Sequence, residues 1–284
     1  MSKQLLGILL ALGAVLGSAL SIFFCKFALA ALPASIVMFG GALTVVLFTL
    51  PFEWRSLKKD FSVSLKVIVP IALVYLVGNL ALIFSIKYLN PVTVGLVSRL
   101  YVIFTSLFAI YAFRETVNRK TWLLIILAIL GGVLFVFRQH QIEFYLFYIF
   151  LVLFSSFMFA TANAMIKKNH SNFRITQLLL YINLVGLLVY AVYLIFRPSD
   201  FFVHYGFFAV FFTVFSMVCF ALSLISYVKS FKYIPFWQVN VFSLLSPIIL
   251  AAISWPFFAE HFSVLNIVGA AVVLCALAAL GKLK

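Results

Sequence analysis

The stretch SIKYLNPVTVGLVSRLYVIFTSLFAIYAFRE, Ser85 to Glu115, returns 145 positions later as SFKYIPFWQVNVFSLLSPIILAAISWPFFAE, Ser230 to Glu260. Identical residues stand at Ser85 and Ser230, Lys87 and Lys232, Tyr88 and Tyr233, Val94 and Val239, Ser98 and Ser243, Leu100 and Leu245, Phe113 and Phe258, and Glu115 and Glu260. Both copies follow one plan. A basic, aromatic end of one apolar run meets a short break, Asn90-Pro91 or Ile234-Pro235; a second apolar run of about membrane-crossing length follows, with a lone glutamate at its exit. A repeat at a fixed shift governs the reading of the whole chain, which is two copies of one unit.

The environment of that unit follows from composition. Of 284 residues, 66% are hydrophobic and only 9% charged, more apolar surface than a water-soluble domain of this size can hide. The 20 Lys and Arg outnumber the 6 Asp and Glu, but they sit between apolar runs, so they set orientation in a bilayer rather than mark a nucleic-acid surface. Cys25, Cys219 and Cys275 lie inside apolar runs without CxxC spacing, which argues against a disulfide framework and against a metal site. Lys3, the apolar run Leu5 to Phe24 and Ala28-Leu29-Ala30 have the outline of a cleavable signal. The run is nearer a spanning helix in length, so a retained first helix is expected.

Breaking the chain at charges, Pro and Asn gives ten candidate helices: 4–26, 34–51, 66–88, 92–113, 121–137, 144–166, 175–196, 206–228, 236–258 and 264–281. Each is close to the length that crosses ~30 Å of hydrocarbon. The runs are continuously apolar rather than alternating with period two, so helices are expected and not a barrel. Fifteen Lys and Arg then fall on one side of the membrane and four on the other, which predicts cytoplasmic N- and C-termini. The two copies are separated by five spans, an odd number, so residues 1–138 and 139–284 are expected to form five-helix repeats inverted relative to each other. Such inversion is a mark of secondary transporters, with the solute site near the midplane between the repeats.

The chain resembles the drug/metabolite transporter superfamily, specifically its ten-helix EamA-domain members. The resemblance rests on the five-plus-five plan, on Lys26 closing the first helix, and on the turns Phe113-Arg114-Glu115-Thr116 and Phe258-Ala259-Glu260-His261. Ser246-Pro247 followed by Glu260 fits the family pattern closely; in the first copy Tyr101-Val102 stands in the place of Ser246-Pro247, and Arg99 in that of Leu244. The resemblance implies that candidate helices 1, 3, 4, 6, 8 and 9 line a central cavity, that 5 and 10 are peripheral, and that export is the direction of transport.

Arg99 falls about eight residues into the fourth candidate helix, where a cation costs roughly 2.5 kcal/mol or more unless paired or wet. No acid lies in any of the ten expected spans, so two readings stand: a bidentate donor for a carboxylate or phosphate of the solute, or a clamp on helix-end carbonyls. Tyr75, Asn79, Asn163, Ser223, Gln238 and Asn240 are polar at mid-span depth, and each must face a cavity or bond a neighbouring helix. Tyr75 and Asn79, four apart, share a face. Tyr101 and Trp237 are candidate stacking partners for a solute, or packing residues. Gating or structural roles fall to Gly13 and Gly17, a GxxxG that packs within the monomer or forms a dimer seam, and to Lys26, Glu115, Pro247 and Glu260. Pro247 is expected to kink its helix.

There is no HExxH, GxSxG, P-loop or pair of intramembrane carboxylates, so catalysis and ATP-driven pumping find no support, and no cofactor is expected. The lack of a buried acid argues against carboxylate-based proton coupling and for facilitated diffusion or exchange. The sequence therefore predicts a multi-pass secondary transporter of the cytoplasmic (inner) membrane, monomeric or homodimeric, moving a small amino-acid-like or other carboxylate- or phosphate-bearing metabolite. Uptake or exchange of a nucleotide- or cofactor-like metabolite is the rival within the class; a membrane scaffold or a lipid-head-group enzyme is the rival outside it.

Overall fold

The computed structural model describes residues 3–54, 61–89, 91–114, 118–136, 142–169, 174–202, 206–258 and 263–282. Among them no strand occurs. The helices are α1 (Lys3–Ala31), α2 (Ala34–Glu53), α3 (Phe61–Tyr88), α4 (Pro91–Val97), α5 (Tyr101–Phe113), α6 (Arg119–Val136), α7 (Ile142–Asn169), α8 (Ile175–Phe196), α9 (Phe207–Ser230), α10 (Phe236–Phe242), α11 (Ser246–Phe258) and α12 (Val264–Lys282). Six of them, α1, α2, α3, α7, α8 and α9, are long and apolar enough to cross a membrane. Polar and apolar residues are distributed as lipid requires. Ser85, Thr105, Ser156, Ser216 and Asn240 are buried, whereas Leu188, Ile195, Phe196 and Phe207 are largely exposed. Backbone polar groups are closed inside helices, and the polar side chains turn toward other helices.

Two expected helices are interrupted. Residues 92–113 and 236–258 each divide at a single 3-10 turn, Ser98–Leu100 and Ser243–Leu245, so that α4 and α5 correspond to α10 and α11 at the same shift as the sequence repeat. The interruption tightens the helix without ending it, because Leu100, Phe242, Ser243 and Ser246 all keep right-handed helical dihedrals. Pro247 follows the second turn directly. An α-helix would bring the N–H of residue 247 to the Ser243 carbonyl; proline has none, and the Ser246 N–H takes that carbonyl instead. Proline is not the shared cause, since Val102 stands at the same place in the first copy. What both copies share is the serine: Ser98 Oγ donates to the Gly95 carbonyl at 2.9 Å and Ser243 Oγ to the Asn240 carbonyl at 2.5 Å. A hydroxyl bonded back one turn competes with the regular ladder and bends it.

The packing repeats as the sequence does. The α1 helix lies along α9 and, correspondingly, α7 along α3; α5 on α7 is matched by α11 on α1, and α8 on α3 by α2 on α9. Two further large contacts, α2 with α8 and α6 with α12, pair each helix with its own counterpart. The α2 and α8 helices run antiparallel and are fastened at both ends. Ser35, second residue of α2, donates to Asp200 Oδ2 just beyond α8 at 2.5 Å, and Thr176, second residue of α8, donates to Glu53 Oε1 at the end of α2.

Those contacts revise three expectations. The α2 helix runs past residue 51 and brings Glu53, 2% exposed, inside the helical bundle, so an acid is buried there after all. The α7 helix starts at Ile142 and takes Glu143 into its first turn. Lys26 does not close α1, because Phe27-Ala28-Leu29-Ala30-Ala31 continues it to Pro33, which disfavours helix in the residue before it.

The α1–α9 seam is held by small residues. A Cβ on Gly17 would stand 3.0 Å from both the Cys219 carbonyl oxygen and Ser223 Cβ, close enough that the neighbouring helix would have to give way, whereas a Cβ on Gly13 meets nothing nearer than Ser226 Oγ at 4.0 Å. The GxxxG thus contributes one close contact, and it lies within the chain.

Candidate functional site

A cavity of about 200 Å³ lies between α1, α3, α5, α7, α9 and α10, with Ser98 and Ser243 of the two 3-10 turns in its wall. Four of these helices contribute a stripe at helical spacing, Ala11, Ala14, Ser18, Ser21 and Cys25 on α1, Tyr75, Asn79, Ile83 and Ile86 on α3, Ser156, Phe159 and Asn163 on α7, and Ser216, Phe220, Ser223 and Tyr227 on α9, while α5 and α10 contribute Tyr101 and Val239. These are the six runs that the family resemblance implied; α6 and α12 pack on each other, and neither contributes a described residue to the wall.

The wall is polar in patches, and its described residues carry no charged side chain. Tyr101 and Tyr227 bring their hydroxyl oxygens to 2.8 Å, and Asn240 Oδ1 accepts from both hydroxyls, from Tyr227 at 2.7 Å. Asn240 is itself fixed by its Nδ2, which donates to the Phe236 carbonyl at 2.7 Å. Across the cavity Tyr75 donates to Asn163 Oδ1 at 3.4 Å. Serines tie the helices together: Ser223 Oγ donates to the Ala14 carbonyl at 2.6 Å, and Ser216 Oγ to the Ser21 carbonyl at 2.8 Å. Apolar side chains, among them Ile22, Leu82, Phe159, Phe220 and Leu224, fill the rest.

Of the expected site residues, the structure brings Tyr75, Asn79, Tyr101, Asn163 and Ser223 together on this wall. Asn240 stands behind it, fully buried, holding the two tyrosines. Trp237 and Gln238 are not on it: Val239 is the α10 residue that reaches the cavity, and Trp237 packs instead with Tyr101, Val102, Ile125 and Val241. The backbone of Arg99 lies in the first 3-10 turn, next to Ser98, while its side chain and that of Pro247 lie outside the described residues, as do Glu115 and Glu260 entirely. Sequence reasoning missed Tyr227, Ser156, Ser21 and Ser216. Tyr227 is four residues after Ser223 and therefore shares its face, a signal that was available; Ser98 and Ser243 were already marked as repeat identities.

Two lysines sit near the ends of this assembly. Lys26 Nζ donates to the carbonyls of Ile86 at 2.8 Å, Lys87 at 3.2 Å and Leu89 at 2.9 Å, which caps the C-terminus of α3 with a positive charge. Lys167, near the end of α7, lies 4.2 Å from the ring centre of Phe113 and 4.9 Å from that of Phe236. The repeated Lys-Tyr pairs meet the opposite copy: Tyr88 stacks on Tyr148 at 4.5 Å, and a Cβ on Gly7 would stand 2.7 Å from Tyr233 Cβ.

Comparison with known proteins agrees with the architecture. No curated protein sequence matches the chain. A solved structure, titled only as the crystal structure of a protein, is similar over 98% of this chain and 95% of its own, with a TM-score of 0.71 at 13% identity, a likeness of fold alone. The family model of the EamA-like transporters matches twice, over residues 5–137 and 146–281. Two copies of that unit, built from apolar helices around a shared cavity, place this multi-pass membrane protein in the EamA-like transporter family, whose members move small molecules across membranes.

Proposed function

We propose that the chain is a ten-span secondary transporter in which residues 1–138 and 139–284 form inverted five-helix repeats, with both termini cytoplasmic, and that the cavity is exposed alternately to the two sides of the cytoplasmic membrane. The observation that carries this reading is the cavity itself, walled by α1 and α3 and by their counterparts α7 and α9, and bordered by the two equivalent 3-10 turns. The antiparallel course of α2 and α8, which are counterparts, supports the inversion. Discontinuous helices in corresponding positions of two inverted halves are where such carriers bind solute and move.

The substrate is a small amino-acid-like metabolite carrying a carboxylate. A space of about 200 Å³ suits a solute of that size and is small for a nucleotide or cofactor, since pockets for drug-sized ligands run to roughly 300–1,000 Å³. Arg99, whose backbone neighbours Ser98 at the wall, is the candidate partner of the carboxylate, with the amides of Asn79 and Asn163 as further donors. Movement follows the solute gradient or exchange, because the described wall contains no Asp, Glu or His.

Reconstitution tests this directly. Proteoliposomes preloaded with an unlabelled amino acid should accumulate its labelled form by counterflow, and Arg99→Ala should reduce counterflow of carboxylate-bearing solutes while the purified variant melts as the parent does. Liposomes that show no protein-dependent flux of any metabolite class would sink the transporter reading. Equal flux in the variant would leave the carrier and remove the arginine from the site.

A further inference from the structure

A second, smaller cavity of about 20 Å³ lies beside the first, between α2, α3, α8 and α9. The two share Asn79, Ile83, Met217 and Phe220, so they are adjoining lobes divided by those side chains. The divider is yielding. Met217 packs into the notch at Gly41, where a Cβ would stand 2.7 Å from its Cγ, and an unbranched thioether chain changes rotamer easily. The smaller lobe is apolar at Met38, Leu76 and Ile182 and polar at three points, Asn79, Asn183 and Tyr190. Tyr190 is only 6% exposed. A Cβ on Gly186 would lie 3.4 Å from Tyr190 Cε2, the ring carbon next to the one that bears the hydroxyl, so the ring leans back along α8 over Gly186 and toward Asn183. Asn183 Nδ2 gives one proton to the Leu179 carbonyl at 2.8 Å and keeps a second N–H and its carbonyl oxygen. Among the described residues, neither the Tyr190 hydroxyl nor the Asn79 amide has a hydrogen-bond partner. A polar group on so buried a side chain is costly to leave unpaired, and one that lines a cavity points to a partner from outside the chain.

We infer that this lobe is a subsite of the transport cavity, in which Tyr190, Asn183 and Asn79 receive a single hydroxyl carried at the end of the solute remote from its carboxylate. The inference rests on the amino-acid reading above and sharpens it: the backbone of the solute occupies the larger lobe, and its side chain reaches past Met217 into the smaller one. Size sets the first limit. A space of about 20 Å³ admits one water-sized group, since roughly 10–15 Å³ suffices for a water, and it is too small for a carboxylate or a ring. Hydrogen-bond inventory sets the second. A hydroxyl both donates and accepts, and so serves the tyrosine and the two amides together. A methyl fills the same volume and leaves them unpaired; an ammonium has no acceptor for the amide protons. Tyr190, Asn183 and Asn79 are thus specificity-determining residues, and Gly186 matters by leaving room for the ring.

A short and a long pair of solutes test this: L-serine against L-2-aminobutyrate, and 5-hydroxy-L-norvaline against L-norleucine, each pair differing only in a terminal hydroxyl or methyl. Affinities are read from thermal stabilisation of the purified full chain titrated with each compound, since a ligand of the folded state raises its apparent stability. In at least one pair the hydroxyl compound should bind about tenfold tighter or more, because its isostere leaves buried polar groups unpaired. Tyr190→Phe should erase most of that preference while leaving the affinity of the methyl compound unchanged, and Asn183→Leu should reduce it. Without ligand, Tyr190→Phe should melt no lower than the parent, as its hydroxyl holds no other described residue. Equal affinities within both pairs, or a preference that survives intact in Tyr190→Phe, would overturn the subsite and leave the amino-acid reading standing. A lower melt of unliganded Tyr190→Phe with unchanged selectivity would assign the lobe to a structural water and overturn the subsite as well. If none of the four compounds stabilises the parent, the amino-acid reading and the subsite fall together.

Discussion

Ser98 and Ser243 occupy equivalent places in the two repeats, and each turns its hydroxyl back onto the carbonyl three residues before it while lining the same cavity. One substitution in each copy therefore addresses the same local device. Ser98→Ala and Ser243→Ala each remove a bond worth about 1 kcal/mol or less in net stability, so the melting temperature should change little. Solute exchange should slow more than stability falls, and most in the double variant, because the tightened turns are where the helices bend. Counterflow rates and thermal melts on the same preparations check this; unaltered exchange in the double variant would make the turns static features.

Gly17 and Gly13 give a paired test of the α1–α9 seam. Gly17→Val places carbon against the Cys219 carbonyl and Ser223, which should lower stability by about 1 to 3 kcal/mol through overpacking. Gly13→Ala should leave the melt within about 0.5 kcal/mol of the parent or raise it, since its nearest neighbour is 4.0 Å away and alanine is the better helix former. Equal losses in the two variants would show that the seam differs from the one described.

Lys26 should matter through its charge and its reach. Lys26→Met leaves three carbonyls at the end of α3 without their donor, and a loss of about 2 kcal/mol is expected from the charged hydrogen bonds and the helix terminus together. Lys26→Arg should recover part of it. Detergent melts read the stability, and hydrogen exchange at Leu89 and Tyr88 should rise in the Met variant before exchange elsewhere does.

Arg114, with φ at 52°, is a non-glycine residue in the left-handed region, where it ends α5 and donates its N–H to the Ile110 carbonyl at 3.1 Å. Arg114→Gly should stabilise the protein by about 0.5 to 1 kcal/mol by removing the Cβ penalty, and Arg114→Val should destabilise it by at least as much. Melts of the three proteins order them as Gly, Arg, Val if the cap is as described.

How much of this was visible in the chain differs from residue to residue. The repeat identified Ser98 and Ser243 as equivalent before any helix was placed, and the spacing of Tyr75 and Asn79 put them on one face, where they are found. Trp237 and Gln238 looked as good as Asn240 on depth alone. Only the rotation of α10 separates them: Val239 reaches the cavity, and Asn240 turns to Tyr101 and Tyr227, residues 139 and 13 positions away. Lys26 looked like a helix end and is a cap on another helix, some 60 residues distant in sequence.

The sequence by itself determined the helical membrane architecture, the family and the twofold duplication, because hydrophobicity, span length and a fixed repeat are properties of the chain read locally. The tertiary structure decided which polar groups share a cavity, that Glu53 and Thr176 fasten α2 to α8, and that Ser216 and Ser223 bond across to α1. Those depend on how far each helix is rotated and slid against its neighbours. In lipid that register is set by close contacts such as Gly17 on α9 and by hydrogen bonds between distant residues, neither of which any single segment encodes.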